Sequence, residues 1–465
     1  MYHSCRAGRS VWQQLVSAPS RPLLQPAKHT KGTEKTTTII TTTSSTTTAT
    51  TTVTTRHFAS SSRTDEDPSK KRESPGGQTA APVVAPESSQ SPSSNTVAEG
   101  EAGSVVCKAS QKPSSTPSEK NGKIIFSGIQ PTGVPHLGNY LGAMREWKRL
   151  QDTAEPDTKL FFSIVDLHAL TIPRPREELF ENRLKMMASL LAIGLNPDRA
   201  AIFFQSSVGE HAELQWILSC TASMGYLSRM TQWKSKMQLG DNASLDDPKA
   251  RKSLKHGLFS YPILQAADIL LYRATHVPVG EDQRQHLEFA RECVSNFNHT
   301  YKTNCLVQPE TLISPARRIM SLSNPLQKMS KSDPSPKSRI LITDTPEEIA
   351  KKIRHAVTDS TDKVTYDPAN RPGVANLIEI LSSFDPHGRT PARLGEQMEG
   401  YKIAELKQVV TQVVSDELAE IRERYRQYMS DQEKLKEVTF QGTAAARATA
   451  RTTMGHVKRA IGLGV

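Results

Sequence analysis

Length, composition and charge set the first limits on what this chain can be. Its 465 residues are enough for two or three domains. The formal net charge of +11 indicates a polyanionic partner, although part of the excess lies in the N-terminal tail. No stretch is long and apolar enough to span a bilayer, which argues against a membrane protein. The five cysteines form no CxxC pair, which argues against a disulfide framework or a structural metal site.

The first 120 residues are expected to lie outside the folded protein. Residues 1–34 are basic until Glu34, the first acid, and apolar residues recur at helical spacing between positions 11 and 16. This composition is typical of a mitochondrial transit peptide and predicts a location in the mitochondrial matrix. Residues 35–120 are rich in threonine, serine and proline, which predicts a disordered linker. A Thr/Ser-rich interaction or modification tract is the alternative.

From residue 121 onward, short apolar runs alternate with helical patterns. We predict strands at 123–129, 160–166, 201–205 and 276–279. Strands that alternate with helices, such as the one predicted at 177–193, indicate a parallel α/β sheet with its ligand site above the carboxyl ends of the strands. Beyond residue 340 we predict only helices, at 346–357, 377–381, 402–428 and 442–460. The fold class is therefore α/β, with a Rossmann-like domain over 121–340 and an all-helical domain over 341–465.

One stretch, residues 123–147, has the pattern of a nucleotide-binding βα unit. The apolar run at 124–126 predicts a buried strand, and the glycine-rich run at 127–133 predicts a turn. A helix is expected to begin near His136, which places its N-terminal amides and positive dipole end above the strand. Gly138 on the first helical turn leaves room for a ligand's phosphates or ring. From this stretch alone, an ordinary first βα unit of a sheet is the simpler interpretation.

A second motif lies far downstream, at residues 328–332, and reads KMSKS. Its lysines flank small hydroxyl residues between Pro325 and Pro334, which predicts a mobile basic loop rather than a helix face. Alone, a solvated charged loop would explain it. Together with HLGN at 136–139, it resembles the two signature motifs of class I aminoacyl-tRNA synthetases, HIGH and KMSKS, with Asn139 in the last position of the first motif.

A third element narrows the resemblance. Residues 261–272 read YPILQAADILLY and residues 277–283 read VPVGEDQ, which is similar to the pattern of tryptophanyl-tRNA synthetases. The resemblance implies a HUP-type catalytic domain, L-tryptophan and ATP with Mg²⁺ as substrates, tRNA(Trp) as partner, a homodimer, and no protein-bound structural metal. It also implies that the helical domain 341–465 binds the tRNA anticodon, with its last helix packed back on the catalytic domain.

Amino-acid activation indicates which side chains the site needs. The attacking carboxylate is already ionised, so catalysis requires positioning and charge neutralisation rather than a general base. The resemblance assigns catalysis to Lys328 and Lys331, which stabilise the departing pyrophosphate, and to Lys236, His136 and Gln130. The residues that it implies for ATP binding are Gln130, Gly138, Asn139, Gly280, Glu281, Asp282, Ile319, Lys328, Met329, Ser330, Lys331 and Ser332.

Recognition of tryptophan needs an acceptor for the indole N–H, and a fixed carboxylate is the strongest one available. Asp268 is a carboxylate in an apolar helical segment, where it is costly without a partner. An N-cap or a salt-bridged helix residue is the alternative. The resemblance assigns Asp268 to the indole nitrogen, whereas Gln265 departs from the methionine of bacterial members and leaves its role open. The implied tryptophan pocket consists of Asp268, Tyr261, Phe126, Gly128, Gln265, Val277, Val279 and Gln283.

Other interpretations stay open at this point. A tyrosyl-tRNA synthetase shares the fold and both motifs, although the run 261–283 favours tryptophan. A synthetase-derived RNA-binding or splicing protein has no need for two intact motifs, and a small-molecule nucleotidyltransferase with a related HxGH motif has no use for an arginine-rich helical domain. His211, His256 and His286 occur on mixed faces, which predicts surface or supporting positions for them.

Overall fold

A parallel sheet of five strands organises the chain. The computed structural model describes residues 122–240, 242–280, 283–313 and 318–464, so the predicted transit peptide and linker lie outside the described residues. The sheet has the order β3-β2-β1-β4-β5, which confirms the predicted Rossmann-like topology. Its strands are β1 (Ile124–Ile129), β2 (Lys159–Ile164), β3 (Ala201–Phe204), β4 (His276–Val279) and β5 (Glu310–Ile313).

Helices connect the strands and form the C-terminal part of the chain. The first, α1, spans residues 137–153 and contains a π-helical segment at Tyr140–Met144. Between the strands follow α2 (Asp166–Ala169), α3 (Arg176–Ala192), α4 (Glu210–Ser219), α5 (Met224–Arg229), α6 (Thr231–Lys236), α7 (Pro248–Ser253), α8 (His256–Leu270) and α9 (Arg284–Thr300). The C-terminal helices are α10 (Pro346–Arg354), α11 (Pro372–Ser383), α12 (Pro391–Gln397), α13 (Ile403–Ser430) and α14 (Gln432–Ala460).

Alternation along the strands divides the core into two apolar layers. On β1, Ile125 belongs to the layer that includes α1 and α3, and Phe126 belongs to the opposite layer with α8 and α9. The neighbouring strand β2 alternates in the same way, with Phe162 stacked on Trp147 in the first layer at 4.8 Å between ring centres. Successive side chains of a strand point to opposite faces, so each strand contributes to both layers. Helices pack on both faces of the sheet.

The last helix closes the edge of the sheet. Gly442 of α14 lies directly against the backbone of Ile202 in β3, so close that a Cβ at this glycine would be 2.0 Å from the Ile202 carbonyl oxygen. Arg447, one turn further along the helix, donates a hydrogen bond to the carbonyl of Ser207. Since β3 is an outer strand of the sheet, α14 covers an edge that would otherwise be exposed.

Some sequence predictions differ from the structure. Strand β5 was absent from the prediction, because half of its ETLI run is polar and no apolar run marks it. The last helix begins ten residues earlier than the predicted 442–460, at Gln432. Within the described residues, no helix combines the length and the apolarity needed to cross a bilayer. Cys220, Cys293 and Cys305 are free thiols.

Candidate active site

A cleft of about 330 Å³ opens above the carboxyl ends of β1 and β4, where a parallel α/β sheet usually binds its ligand. All residues predicted for the tryptophan pocket line this cleft, together with three residues predicted for ATP or catalysis. The former are Phe126, Gly128, Tyr261, Gln265, Asp268, Val277, Val279 and Gln283; the latter are Gln130, Lys236 and Gly280. The tertiary structure therefore brings residues from four separate sequence runs together at one place.

Asp268 is the buried charge of this cleft, with 1% of its surface exposed. Its Oδ1 accepts hydrogen bonds from Gln205 Nε2 at 2.6 Å and from His211 Nδ1 at 2.7 Å, and His168 Nε2 lies 2.9 Å from Oδ2. Burial alone would raise the pKa of Asp268, but the hydrogen bonds from His168 and His211 outweigh it and leave the pKa below its ordinary value. The carboxylate is therefore ionised and acts as a pure acceptor.

Two histidines support Asp268 from different parts of the chain. His211, for which a surface or supporting position was predicted, is fully buried beside Asp268 and occupies a supporting position. His168, which the sequence analysis did not select, comes from α2 directly after β2 and also lines the cleft. The one available signal was position, since both His168 and Gln205 follow the carboxyl end of a strand, where functional groups collect.

Tyr261 forms the wall opposite β1 and is held by two polar neighbours. Its hydroxyl donates to Gln232 Oε1 at 2.8 Å, and His286 Nε2 lies 2.8 Å from the same oxygen. His286, predicted to be a surface or supporting residue, is thus buried in a supporting position. The ammonium of Lys236 lies 4.7 Å from the Tyr261 ring centre, and desolvation lowers the pKa of this lysine. Gln265 donates to Gln283 Oε1 at 3.2 Å.

Gly128 sets the depth of the cleft at the end of β1. A Cβ at this position would lie 2.8 Å from Val165 Cγ1, closer than real carbon contacts come. Phe126, two residues earlier on the same face of β1, stacks on Tyr272 with 5.3 Å between ring centres and forms an apolar wall of the cleft. The missing side chain therefore leaves open space where a flat ring can lie against the backbone.

The HLGN motif forms the N-terminus of α1. His136 is the N-cap: its Nδ1 accepts from the Asn139 N–H at 3.2 Å, and Asn139 Oδ1 accepts from the His136 N–H at 3.2 Å. Burial first, then the charges of Lys331, Arg339 and Lys328, lower the pKa of His136 to about 4. The imidazole is therefore neutral at pH 7, with its proton on Nε2, and can offer a ligand a hydrogen bond but no charge.

The KMSKS motif is tied to the rest of the site by backbone hydrogen bonds. The Met329 N–H donates to the Ile319 carbonyl at 3.0 Å, and Met329 itself is buried. Gly138 faces this hairpin, since a Cβ there would lie 3.7 Å from Ile319 Cβ. The prediction of a loop is correct, but the loop is anchored by an apolar side chain.

The lysines of the KMSKS motif differ in their surroundings. Lys331 Nζ donates to the Gly133 carbonyl at 2.8 Å and to Thr132 Oγ1 at 3.2 Å, whereas the side chain of Lys328 is exposed. Ser330 and Ser332 belong to the same loop but do not line the cleft, and Glu281 and Asp282 lie outside the described residues. Among the described residues, no group of His, Cys, Asp and Glu side chains has the geometry to hold a metal ion.

Fold and site define a class I aminoacyl-tRNA synthetase, and the comparison with known protein families agrees. The family model described as tRNA synthetases class I (W and Y) matches residues 119–437. The mitochondrial tryptophan–tRNA ligase of Schizosaccharomyces pombe is 44% identical over 347 residues, which cover 73% of this chain and 96% of the relative. That of Saccharomyces cerevisiae is 43% identical and covers 73% and 90%. The chain therefore belongs to the tryptophan–tRNA ligase family.

Solved structures give the same result. The tryptophanyl-tRNA synthetase of Mycoplasma pneumoniae superposes with a TM-score of 0.64 at 33% identity and covers 74% of this chain and 98% of its own. The Campylobacter jejuni enzyme, solved in complex with ADP and tryptophan, has a TM-score of 0.61 at 32% identity and covers 73% and 100%. The resemblance inferred from the HLGN, KMSKS and 261–283 runs, and the class of enzyme that it implies, are confirmed.

Proposed function

We propose that this protein activates L-tryptophan with ATP to tryptophanyl-adenylate and transfers the tryptophan to tRNA(Trp) in the mitochondrial matrix. The observation that carries the proposal is the position of Asp268, an ionised and buried acceptor at the end of an apolar cleft whose other walls are Phe126, Gly128 and Val277. Mitochondrial relatives at 43–44% identity support the location, and the predicted transit peptide at 1–34 supports the matrix.

Asp268 is proposed to accept the indole N–H. A carboxylate has about four acceptor positions, of which Gln205 and His211 use those of Oδ1 and His168 uses one of Oδ2. One acceptor position of Oδ2 is left for the substrate, and Asp268 itself lines the cleft. A tyrosine side chain also ends in a donor, its phenol O–H, so this acceptor alone does not select the substrate. The preference for tryptophan rests on the 261–283 run and on the relatives named tryptophan–tRNA ligase. Gln265 and Gln283, joined to each other, are proposed to contact the amino group of the substrate.

Activation then proceeds by attack of the tryptophan carboxylate oxygen on the α-phosphorus of ATP. The new O–P bond forms as the bond to the β-phosphate oxygen breaks, and pyrophosphate leaves with the electron pair. Lys331, Lys328 and Lys236 are proposed to neutralise the charge that develops on these oxygens. Magnesium is proposed to arrive with ATP, held by phosphate oxygens, because Mg²⁺ often relies on substrate phosphates rather than on a protein cage.

The nucleotide is proposed to lie between the HLGN and KMSKS motifs. Gly138 and Ile319 lie close together where the two motifs meet, and the adenine is expected beside them, with Asn139 at the start of α1. The Ile319 carbonyl already accepts the Met329 N–H, but a carbonyl oxygen has a second lone pair for the base. Gln130 and Gly280 line the adjoining cleft, and Met329, Ser330 and Ser332 are proposed to complete the phosphate loop with its lysines.

The tRNA is proposed to contact the helical region 341–465. A cleft of about 930 Å³ separates α3 from α14, and two aromatic rings project into solvent on its walls: Phe180 is 58% exposed and Phe440 is 79% exposed. Exposed aromatic rings beside cations suit unstacked bases and phosphates. Arg183 and Lys436 also pair with nearby carboxylates, which weakens the local positive field. The cations that line the cleft are Arg183, Lys436, Arg447 and Arg451.

The decisive experiment is ATP–pyrophosphate exchange with the purified protein, offered tryptophan and then tyrosine, followed by charging of tRNA(Trp). Exchange driven by tryptophan alone supports the proposal, and exchange driven by tyrosine contradicts the proposed specificity for tryptophan. A folded protein that exchanges with neither but binds RNA would be a synthetase-derived RNA-binding protein.

Phe440→Ala tests the tRNA surface. It is expected to raise the KM for tRNA about tenfold through lost stacking, while the tRNA-free exchange rate stays unchanged. A homodimer is proposed from family membership, and sedimentation equilibrium tests it.

A further inference from the structure

A row of buried side chains stands behind Asp268, on the side away from the cleft. The Tyr272 hydroxyl lies 2.8 Å from His211 Nε2, and His211 Nδ1 lies 2.7 Å from Asp268 Oδ1. All three residues are almost fully removed from solvent. Polar groups in such a setting cost free energy unless each finds a partner, so the row has a defined direction of hydrogen bonding.

The direction follows from what each atom can do. An ionised carboxylate only accepts, so His211 Nδ1 must carry a proton and donate it to Asp268. The phenol of Tyr272 stays protonated, because burial and then the charges of Asp268 and Glu210 hold its pKa well above the ordinary value. In the described contacts, the one acceptor within reach of this O–H is His211 Nε2. The contacts are therefore satisfied with the His211 proton on Nδ1 and Nε2 as the acceptor, and Tyr272 favours that tautomer.

The remaining contacts hold the carboxylate in one plane. Gln205, directly after β3, donates to the same Oδ1 as His211, so both lone pairs of that oxygen are used. His168 contacts Oδ2. The second lone pair of Oδ2 is then directed by these three donors, and it is the position assigned above to the indole N–H.

We propose that His211 and Tyr272 are positioning residues for indole recognition, which act by holding the orientation and the ionised, acceptor-only state of Asp268. Neither residue lines the cleft, so neither touches the substrate. Their effect is specific to the N–H group: an amino acid of the same shape without that group gains nothing from an oriented acceptor. This inference rests on the proposed role of Asp268.

The test compares tryptophan with its benzothiophene analogue, in which sulfur replaces the indole N–H. In ATP–pyrophosphate exchange, Tyr272→Phe is expected to lower the preference for tryptophan, as a ratio of kcat/KM values, about 3- to 10-fold. The ring stacking of Tyr272 on Phe126 and Phe161 is kept in this variant. His211→Phe is expected to lower the ratio further. His211→Asn, which retains a donor near the position of Nδ1, is expected to restore most of it. Tyr401→Phe, a buried tyrosine of the helical region, is the control.

The outcomes separate the two assignments. A merely structural role for Tyr272 and His211 would lower kcat/KM for both amino acids by the same factor, and this result would overturn the inference. The ratio is also measured for Asp268→Asn. If that variant reduces the preference while Tyr272→Phe and His211→Phe do not, the positioning role alone is wrong. If Asp268→Asn leaves the ratio unchanged, the proposed indole contact itself is wrong. Should His211→Phe fail to fold, Tyr272→Phe carries the test.

Discussion

The Nζ atom of Lys331 lies 2.8 Å from the carbonyl oxygen of Gly133, so the second motif reaches back to the turn that precedes the first. The partners of this ammonium, the Gly133 carbonyl and the Thr132 hydroxyl, carry no negative charge. Burial, followed by the charges of Arg339 and Arg174, therefore lowers the pKa of Lys331 to about 7. A phosphate that replaces these neutral partners would restore the charge, which couples ATP binding to protonation of the lysine.

This lysine makes activation dependent on pH. The protonated amine is the form that binds phosphate, and its fraction in the free protein falls as the pH rises through about 7. We expect kcat/KM for ATP in pyrophosphate exchange to be roughly tenfold lower at pH 8.5 than at pH 7. Lys331→Arg keeps a positive charge across this range and should show a flatter profile. ATP titrates equally in the two assays, so it cannot cause a difference between them. If kcat/KM depends on pH in the same way for both proteins, Lys331 is not the group that titrates.

Loss of the Lys331 ammonium should affect chemistry more than amino-acid binding. Lys331 does not line the cleft that holds the predicted tryptophan pocket. Lys331→Ala is therefore expected to slow activation by roughly 10²-fold while the equilibrium dissociation constant for tryptophan changes less than about threefold. Single-turnover adenylate formation and fluorescence titration measure the two quantities. Weakened tryptophan binding with an unchanged activation rate would show that the assignment is wrong.

Asp268 should dominate the affinity for tryptophan. Replacement by alanine removes a charge-assisted hydrogen bond to the indole and leaves His168 and His211 without their shared acceptor. We expect Asp268→Ala to lower kcat/KM for tryptophan by roughly 10²-fold or more. His256→Ala, on the exposed first turn of the same helix, is the matched control. An effect below about threefold would place the indole elsewhere in the cleft.

Packing of the last helix on β3 should be the most sensitive contact of the C-terminal region. Gly442→Ala places a methyl group against the Ile202 backbone, which cannot move aside without breaking the sheet. We expect a loss of about 3 kcal/mol or more in the free energy of unfolding. Gly455→Ala, on the same helix, meets nothing nearer than a flexible arginine end at 3.7 Å and should gain up to about 1 kcal/mol. Urea denaturation distinguishes these values, and equal stabilities would contradict the close packing.

The neutral N-cap at His136 predicts a specific loss of stability in acid. Its pKa is about 4 in the folded chain and 6.5 for an unperturbed imidazole, so the unfolded state binds more protons between these values. Stability contributed by this group is present above pH 6.5 and is lost as the pH falls toward 4. His136→Asn retains a capping oxygen without the titration, and its urea midpoint should change less between pH 6.5 and 4.5. An identical decline in both proteins would mean that other groups cause it.

The sequence by itself determined the fold class and the family. The apolar run at 124–126 and the period of 3.6 after His136 report how these segments are buried, which is a local property, and the resemblance of HLGN, KMSKS and the 261–283 run to known motifs indicates the family without any coordinates. The apolar context of Asp268 also marked it as a residue in need of a partner. Strand β5 was missed because two of its four residues are polar and no apolar run marks it.

Only the tertiary structure determines which side chains form hydrogen bonds with Asp268. His168 lies 100 positions and His211 57 positions from it, and hydrogen bonds over such separations leave no trace in local periodicity. The same holds for Lys331 and Gly133, which meet because two loops end above the same sheet. A sequence pattern reports how a segment is buried, whereas the pairing of donors with acceptors depends on where the fold places the ends of its strands and helices.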